Sequence, residues 1–451
     1  MKIIIVGCGK VGTTLAEQLN RENHDIVIID KNARVINTIT ERIDVMGVVG
    51  NGAVYKVQIE AGIQETDLLI ATTNSDELNM LCCLIAKKAG NCRTIARIRN
   101  PEYGAEINYI RDELGLSMAI NPEMAAALEI SRLLRFPSAI KIDTFEKGRI
   151  EVLKFLVPNN SVLHNMSVKE VLTKLNCNVL ICAIEHGHDV IIPDGNSVMS
   201  AGDKISFMAS HADASAFFKQ VGIDNTTVKT AMLVGGGKIT YYLAKILEHT
   251  KIKIKILEQD IERCHELSEI LPKAMIIHGD ASHQDLLIQE GIRDTAAFAA
   301  LTGFDEENIM LSLYAASQSK AKLITKVNRI AFEDVINSMN LGSVIYPKLI
   351  TAEIILQYVR AMQNSMGSNV ERLYKIVADK AEALEFRVAN EPSIVGIPLE
   401  KLELKRNLLV AYIIRKGQFI SPRGKDTIEE DDRVIVVTTV TGLNDLKDIL
   451  K

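Results

Sequence analysis

Lys2-Ile3-Ile4-Ile5-Val6-Gly7-Cys8-Gly9-Lys10-Val11-Gly12 opens the chain, and an amphipathic segment then leads to Asp25-Ile26-Val27-Ile28-Ile29-Asp30. The β-branched run Ile3 to Val6 suits a strand buried on both faces of a parallel sheet, where the pattern is continuously apolar and not alternating. Gly7 permits a tight turn, Gly9 lacks the side chain that would hold a pyrophosphate off the backbone, and Gly12 lets the next helix pack closely on the strand. Phosphates are expected at the helix N-terminus, where unpaired N–H groups and the helix dipole favour an anion. Asp30 ends the second apolar run about 20 residues further on, where a carboxylate can accept hydrogen bonds from ribose hydroxyls and repels a 2′-phosphate. Strand, glycine turn, helix, strand and acid together predict a dinucleotide-binding unit that favours NAD or an adenine nucleotide over NADP. The plainer alternative is a unit of the same shape that keeps its turn for packing alone.

Outward from that stretch, strands and helices keep alternating. The spacing predicts a helix over 34–42, a strand over 45–49, a strand at Leu68 to Ala71 and a helix over 77–89 capped by Ser75 or Asp76. Further strands are expected at Thr94 to Ile98 and Met118 to Ile120. This alternation calls for a doubly wound parallel sheet, whose ligands bind beyond the carboxyl ends of the strands. Thr72, Thr73 and Asn74 therefore fall beside Gly9, as crevice lining or as a helix cap. Arg97 ends the next strand, placed for a nucleotide or a neighbouring subunit, with a surface ion pair as the bland alternative.

After Asn121-Pro122 the pattern changes. Residues 123–135 read as a connector helix ending before Phe136-Pro137. Short strands with turn signals follow at 150–157, 178–184, 189–192 and 204–208, with turn and helix between 161 and 175. His186 and His188 read as exposed turn residues of a hairpin and not as a metal site.

The chain then starts again. Thr230-Ala231-Met232-Leu233-Val234 enters Gly235-Gly236-Gly237-Lys238-Ile239-Thr240, with Gly235 standing 228 residues after Gly7 and Glu258 228 residues after Asp30. Asp305-Glu306-Glu307-Asn308 answers Asp76-Glu77-Leu78-Asn79, Lys326 answers Arg97, and Tyr346-Pro347 answers Asn121-Pro122. A repeat this long is a tandem duplication of a two-domain unit and not a solenoid. The fold expected is therefore α/β: two Rossmann-like doubly wound sheets, each followed by a small α+β module. The boundaries are 1–120 and 228–345 for the sheets, 121–137 and 346–365 for the connector helices, and 138–222 and 366–451 for the modules. Thr240 replaces the third glycine, so helix packing in the second copy must be looser or differently registered. His278 and His283 read as loop residues.

The chain of 451 residues is 47% hydrophobic with a net charge of −5, which supports globular packing and offers no basic field for nucleic acid. Seven cysteines without a Cys-x-x-Cys pair read as reduced thiols of a cytoplasmic protein. No apolar run reaches the length of a membrane span, and a strand beginning at Lys2 leaves no room for a signal peptide. A dehydrogenase needs a catalytic acid, base or metal beside its cofactor. Neither small module offers one, so no catalytic or metal-binding residue is assigned.

The opening glycine stretch, Thr73-Asn74-Ser75-Asp76-Glu77-Leu78-Asn79-Met80, Ile95-Ala96-Arg97-Ile98-Arg99 and the duplicate from Leu233 carry a resemblance. The whole chain resembles the NAD-binding peripheral subunits of Trk-type potassium uptake systems, which are tandem pairs of RCK (KTN) domains. The resemblance implies a regulatory protein and not an enzyme. It implies a cytoplasmic homo-oligomeric ring, expected to be a tetramer, on the inner face of the membrane. This ring binds NAD(H), and ATP or ADP, and gates a membrane-embedded potassium-translocating partner. It places nucleotide contacts on Gly7, Cys8, Gly9, Lys10, Val11, Gly12, Asp30, Thr73, Asn74 and Arg97. A second set falls on Gly235, Gly236, Gly237, Lys238, Ile239, Glu258 and Lys326, with Lys10 and Lys238 placed for further phosphates. The alternatives are an NAD-dependent oxidoreductase and a redox-sensing protein with another partner.

Overall fold

The computed structural model describes residues 1–451 apart from 105, 146–148, 176, 188, 224–227, 330–332, 365–369, 378–379, 389–392, 441–442 and 444. Its first sheet contains β1 (Lys2–Val6), β2 (Asp25–Asp30), β3 (Met46–Val49), β4 (Leu68–Ala71), β5 (Arg93–Arg97) and β6 (Met118–Ile120). The strands pair in parallel in the order β3-β2-β1-β4-β5-β6. Helices α1 (Lys10–Arg21), α2 (Ala33–Thr40), α3 (Tyr55–Glu60), α4 (Asp76–Gly90), α5 (Pro101–Gly104) and α6 (Ile107–Glu113) connect them. Ile3, Ile4 and Ile5 are wholly buried, as a strand covered on both faces requires. The strand order reverses between β1 and β4, which opens a crevice at their carboxyl ends. The cap of α4 is Ser75, whose Oγ accepts from the Leu78 N–H at 3.1 Å. Asp76 instead accepts from the N–H groups of Arg99 and Asn100, both at 2.8 Å, fixing the chain beyond β5.

Helix α7 (Pro122–Arg135) leads to the first module: β7 (Ala139–Phe145), β8 (Ile150–Leu156), α8 (Val168–Lys174), β9 (Leu180–His186), β10 (Asp189–Ile191), β11 (Lys204–Ala209) and α9 (His211–Gln220). Its strands are antiparallel in the order β10-β9-β11-β8-β7. The strand β7 and the helix α9 were not anticipated from sequence. Buried Phe217 and Phe218 of α9 pack edge-on and tilted against Phe155 and Phe207, so tertiary contact supplies what local periodicity did not signal. His186 is a strand residue whose Nδ1 lies 2.5 Å from Asp203 Oδ1, correcting its reading as a plain turn residue. His188 lies outside the described residues.

The second repeat reproduces the first. Its parallel sheet orders β14 (Ala274–His278), β13 (Lys253–Glu258), β12 (Thr230–Val234), β15 (Ala297–Ala300), β16 (Lys322–Lys326) and β17 (Ser343–Ile345). Helices α10 (Lys238–Leu247), α11 (Ile261–Ile270), α12 (Gln284–Gln289), α13 (Asp305–Gln318) and α14 (Glu333–Ser338) connect its strands. After α15 (Pro347–Asn364) an antiparallel sheet orders β18 (Val370–Val377), β19 (Ala381–Arg387), β22 (Arg433–Thr438), β20 (Leu408–Arg415) and β21 (Gln418–Ile420).

Contacts gather like with like. One compact unit joins Met1–Ser131 with Lys229–Leu356, so it holds both parallel sheets; the other joins Arg132–Val228 with Gln357–Lys451 and holds both modules. In the second unit, Phe145, Val152 and Met208 of the first module share one buried cluster with Ala383, Tyr412 and Val437 of the second. The apolar residues of α7 and α15, such as Ile130, Leu134, Ile355 and Val359, are buried within the chain itself. Among the described residues no helix is long and apolar enough to cross a membrane.

Candidate functional site

In the first crevice the glycines hold three different positions. Gly7 has φ +90°, and a Cβ on it would lie 2.7 Å from the Thr73 nitrogen. A Cβ on Gly12 would lie 2.0 Å from the Gly7 carbonyl oxygen, so α1 sits directly against the turn. A Cβ on Gly9 would meet nothing within 4 Å. Packing thus explains Gly7 and Gly12, whereas Gly9 borders open space at the uncapped N-terminus of α1. Lys10 is exposed beside it, and the side chains of Cys8 and Val11 are buried. Burial, aided by the charge of Asp30, pushes the Cys8 thiol up to about 12, leaving it inert at neutral pH.

Asp30 braces this turn. One carboxylate oxygen accepts from the Cys8 N–H at 2.7 Å and the other from the Asn32 N–H at 2.9 Å. A carboxylate has about four acceptor positions, so two further ones remain on Asp30.

Across the crevice, the Thr72 hydroxyl is buried and donates to the Gly7 carbonyl at 2.9 Å. Thr73 gives both its N–H and its hydroxyl to Asn79 Oδ1, each at 2.7 Å, while Asn79 Nδ2 donates to the Arg97 carbonyl at 2.8 Å. The carbonyl of Asn74 accepts from Arg99. Arg97 is only 8% exposed and donates through Nη2 to the Thr73 carbonyl. Its Nε is buried with no hydrogen-bond partner among the described residues. Burial first, and then the neighbouring Arg99 charge, pulls its guanidinium down to about 10. The surface ion pair considered for Arg97 belongs instead to Arg99, which lies 3.8 Å from Asp76 and 3.9 Å from Glu123.

The second crevice, about 280 Å³, repeats the frame. Gly235 has φ +96°, Gly237 borders open space, and the Gly236 N–H donates to Glu258, which also accepts from the Asp260 N–H at 2.9 Å. Lys238 is exposed and Ile239 buried. Thr240 is fully buried and its hydroxyl donates to the Gly235 carbonyl, so the third position is bridged by a hydrogen bond and not loosened. Lys326 Nζ donates to the Thr302 carbonyl at 2.9 Å, and burial is the main cause pulling its ammonium below the usual lysine range. Asn308 holds the Thr302 N–H and the Lys326 carbonyl, as Asn79 does in the first copy. His278 ends β14, which corrects its reading as a loop residue, and His283 precedes α12; no group of ligands able to hold a metal occurs among the described residues.

Sequence reading used Asn79 and Asn308 only as landmarks of the repeat. Their recurrence 229 residues apart, at positions a helix would normally give to an apolar residue, was the available signal of a structural role. Arg263 and Tyr242 gave no such signal. Arg263 Nε donates to the Gly236 carbonyl at 2.8 Å. The Tyr242 hydroxyl accepts from Asn121 Nδ2 at 2.9 Å and donates to the Arg99 carbonyl at 3.1 Å, tying α10 to the strand end of the first sheet.

Two glycine-turn crevices on duplicated Rossmann-like sheets, each followed by a small antiparallel module, define a tandemly duplicated α/β protein of two-domain repeats. The TrkA-N domain family matches residues 3–122 and 231–347, and the TrkA-C domain family matches residues 152–222 and 383–451. The Trk system potassium uptake protein TrkA of Haemophilus influenzae is 31% identical over 442 residues, covering 97% of this chain and 95% of the relative. The Trk system potassium uptake protein TrkA homolog of Archaeoglobus fulgidus is 30% identical over 451 residues, covering both chains completely. The crystal structure of the GsuK RCK domain aligns with a TM-score of 0.64 at 16% identity, over 97% of this chain and 92% of that one. The GsuK channel bound to NAD aligns at 0.63 and 16% identity, over 97% and 76%. At that identity the likeness is one of fold. The chain belongs to the family of Trk system potassium uptake proteins built from TrkA-N and TrkA-C domains. These are potassium uptake proteins and not enzymes, which sets the oxidoreductase alternative aside.

Proposed function

We propose that the chain is the regulatory subunit of a potassium uptake system, with NAD(H) as the ligand of its first crevice and a nucleotide in its second. The observation that carries this reading is Arg97: a guanidinium 8% exposed, its Nε without a hydrogen-bond partner among the described residues, bonded to the carbonyl of Thr73, whose backbone packs against Gly7. A buried cation short of partners is stabilised by an arriving anion, and the uncapped N-terminus of α1 attracts the same charge. ATP or ADP is the second reading, favoured by exposed Lys10, whose charge is felt by Lys326 and Lys348 of the second repeat. In this reading, chains assemble as a ring, a tetramer, on the cytoplasmic face of a membrane-embedded potassium-translocating partner. A nucleotide that fits one ring arrangement better than another then biases the pore by linkage. The domain limits used for this reading are those given by the repeat, with 1–120 and 228–345 as the nucleotide halves.

The test is isothermal titration of the purified chain with NADH, NAD, ATP and ADP, beside light scattering on a sizing column. Saturable binding to a stable oligomer is expected. Gly9→Asp places a carboxylate in the open space before α1 and should abolish first-crevice binding, while Gly237→Asp should abolish the second. Full binding in both variants would overturn the assignment of the crevices.

A further inference from the structure

The two crevices share a skeleton but differ on one loop. Glu307 stands where the first repeat has Leu78, and Phe304 where it has Ser75. In the first copy the Thr73 hydroxyl donates to Asn79; in the second, the Thr302 hydroxyl has turned to Glu307 Oε2 at 2.9 Å. Phe304 and Glu307 both line the second crevice, and Phe304 is 67% exposed. Glu258 and Asp280 line the opposite side, at the ends of β13 and β14, and Lys326 is the one ammonium among the described lining residues.

In a fold of this kind the β12–β14 half takes the adenosine and the β15–β17 half takes the second mononucleotide. Glu307 and Phe304 belong to the second of these. A nucleoside triphosphate would direct its terminal phosphates there, toward a carboxylate fixed by Thr302. A dinucleotide would present a neutral ribose and a planar base there, and an exposed aromatic ring offers the base a stacking face. We propose that Glu307 is a specificity-determining residue of the second crevice, rejecting nucleoside triphosphates and leaving the site to a dinucleotide. This rests on the nucleotide reading of that crevice given above.

The test uses the full-length Gly9→Asp chain, in which the first crevice is closed by a side chain with open space around it. NAD and ATP are titrated into this parent and into Glu307→Leu and Glu307→Gln made on the same background, with thermal unfolding run on each. The parent is expected to bind NAD and to discriminate against ATP. Both substitutions should raise ATP affinity relative to NAD by about tenfold or more, because each removes the charge. Glu307→Gln also keeps a hydrogen-bonding group for Thr302, so a gain in Glu307→Leu alone would mean that charge is not the cause and would overturn the proposal. An unchanged ATP-to-NAD ratio in both variants would overturn it as well. A folded parent that binds neither ligand would instead remove the nucleotide reading of the crevice, and the proposal with it.

Discussion

Asn79 shows how much of a site can rest on a residue that touches no ligand. Its carboxamide satisfies the Thr73 N–H and hydroxyl on one side and the Arg97 carbonyl on the other, and it is fully buried. Asn79→Leu keeps the branched shape and removes these hydrogen bonds, leaving the polar groups they served unpaired at about 1–3 kcal/mol each where they are buried. Local stability at the β4–α4 loop should fall by about 2 kcal/mol or more, equivalent to about a 30-fold faster exchange of the Thr73 amide. Hydrogen exchange read by NMR or mass spectrometry checks this, and unchanged protection would show that the loop is held by other contacts.

The strand–turn–helix element separates glycines kept for packing from the glycine kept for access. Gly12→Ala drives a methyl group onto the Gly7 carbonyl and should lower stability by about 1–3 kcal/mol. Gly9→Ala, at φ −69° with open space around it, should change stability by less than about 0.5 kcal/mol. Thermal unfolding of the two variants side by side decides the matter, and equal losses would contradict this division of roles. The second copy solves the crowding differently: Thr240 takes the third position and donates a hydrogen bond to the Gly235 carbonyl, the counterpart of the Gly7 carbonyl that a side chain at Gly12 would strike.

The molecule pairs its repeats crosswise. Sheet joins sheet and module joins module, so each two-domain repeat is divided between two compact units. The apolar face carrying Phe145, Ile150, Val152, Ala183 and Met208 is covered by the second repeat. A fragment spanning residues 1–223 would leave that face bare, and contiguous apolar patches of this kind drive association. It should therefore self-associate, with one copy standing in for the missing second repeat, whereas the partnering is satisfied internally in the full chain. Light scattering that found a monomeric fragment would contradict this reading.

The sequence by itself determined the class of fold, the duplication and the place of each crevice. The reason is that continuous β-branched runs, glycine turns and terminal acids are local requirements, met by neighbours in the chain. It left Arg97 divided between crevice and surface, and passed over Asn79, Arg263, β7 and α9, because each is decided by partners brought from far along the chain. Only the tertiary structure showed that Arg97 is buried with no partner for its Nε among the described residues, that Asn79 joins two strand ends, and that like domains pair across the repeat. Burial and the satisfaction of buried polar groups are properties of the folded whole, and no window of the sequence contains them.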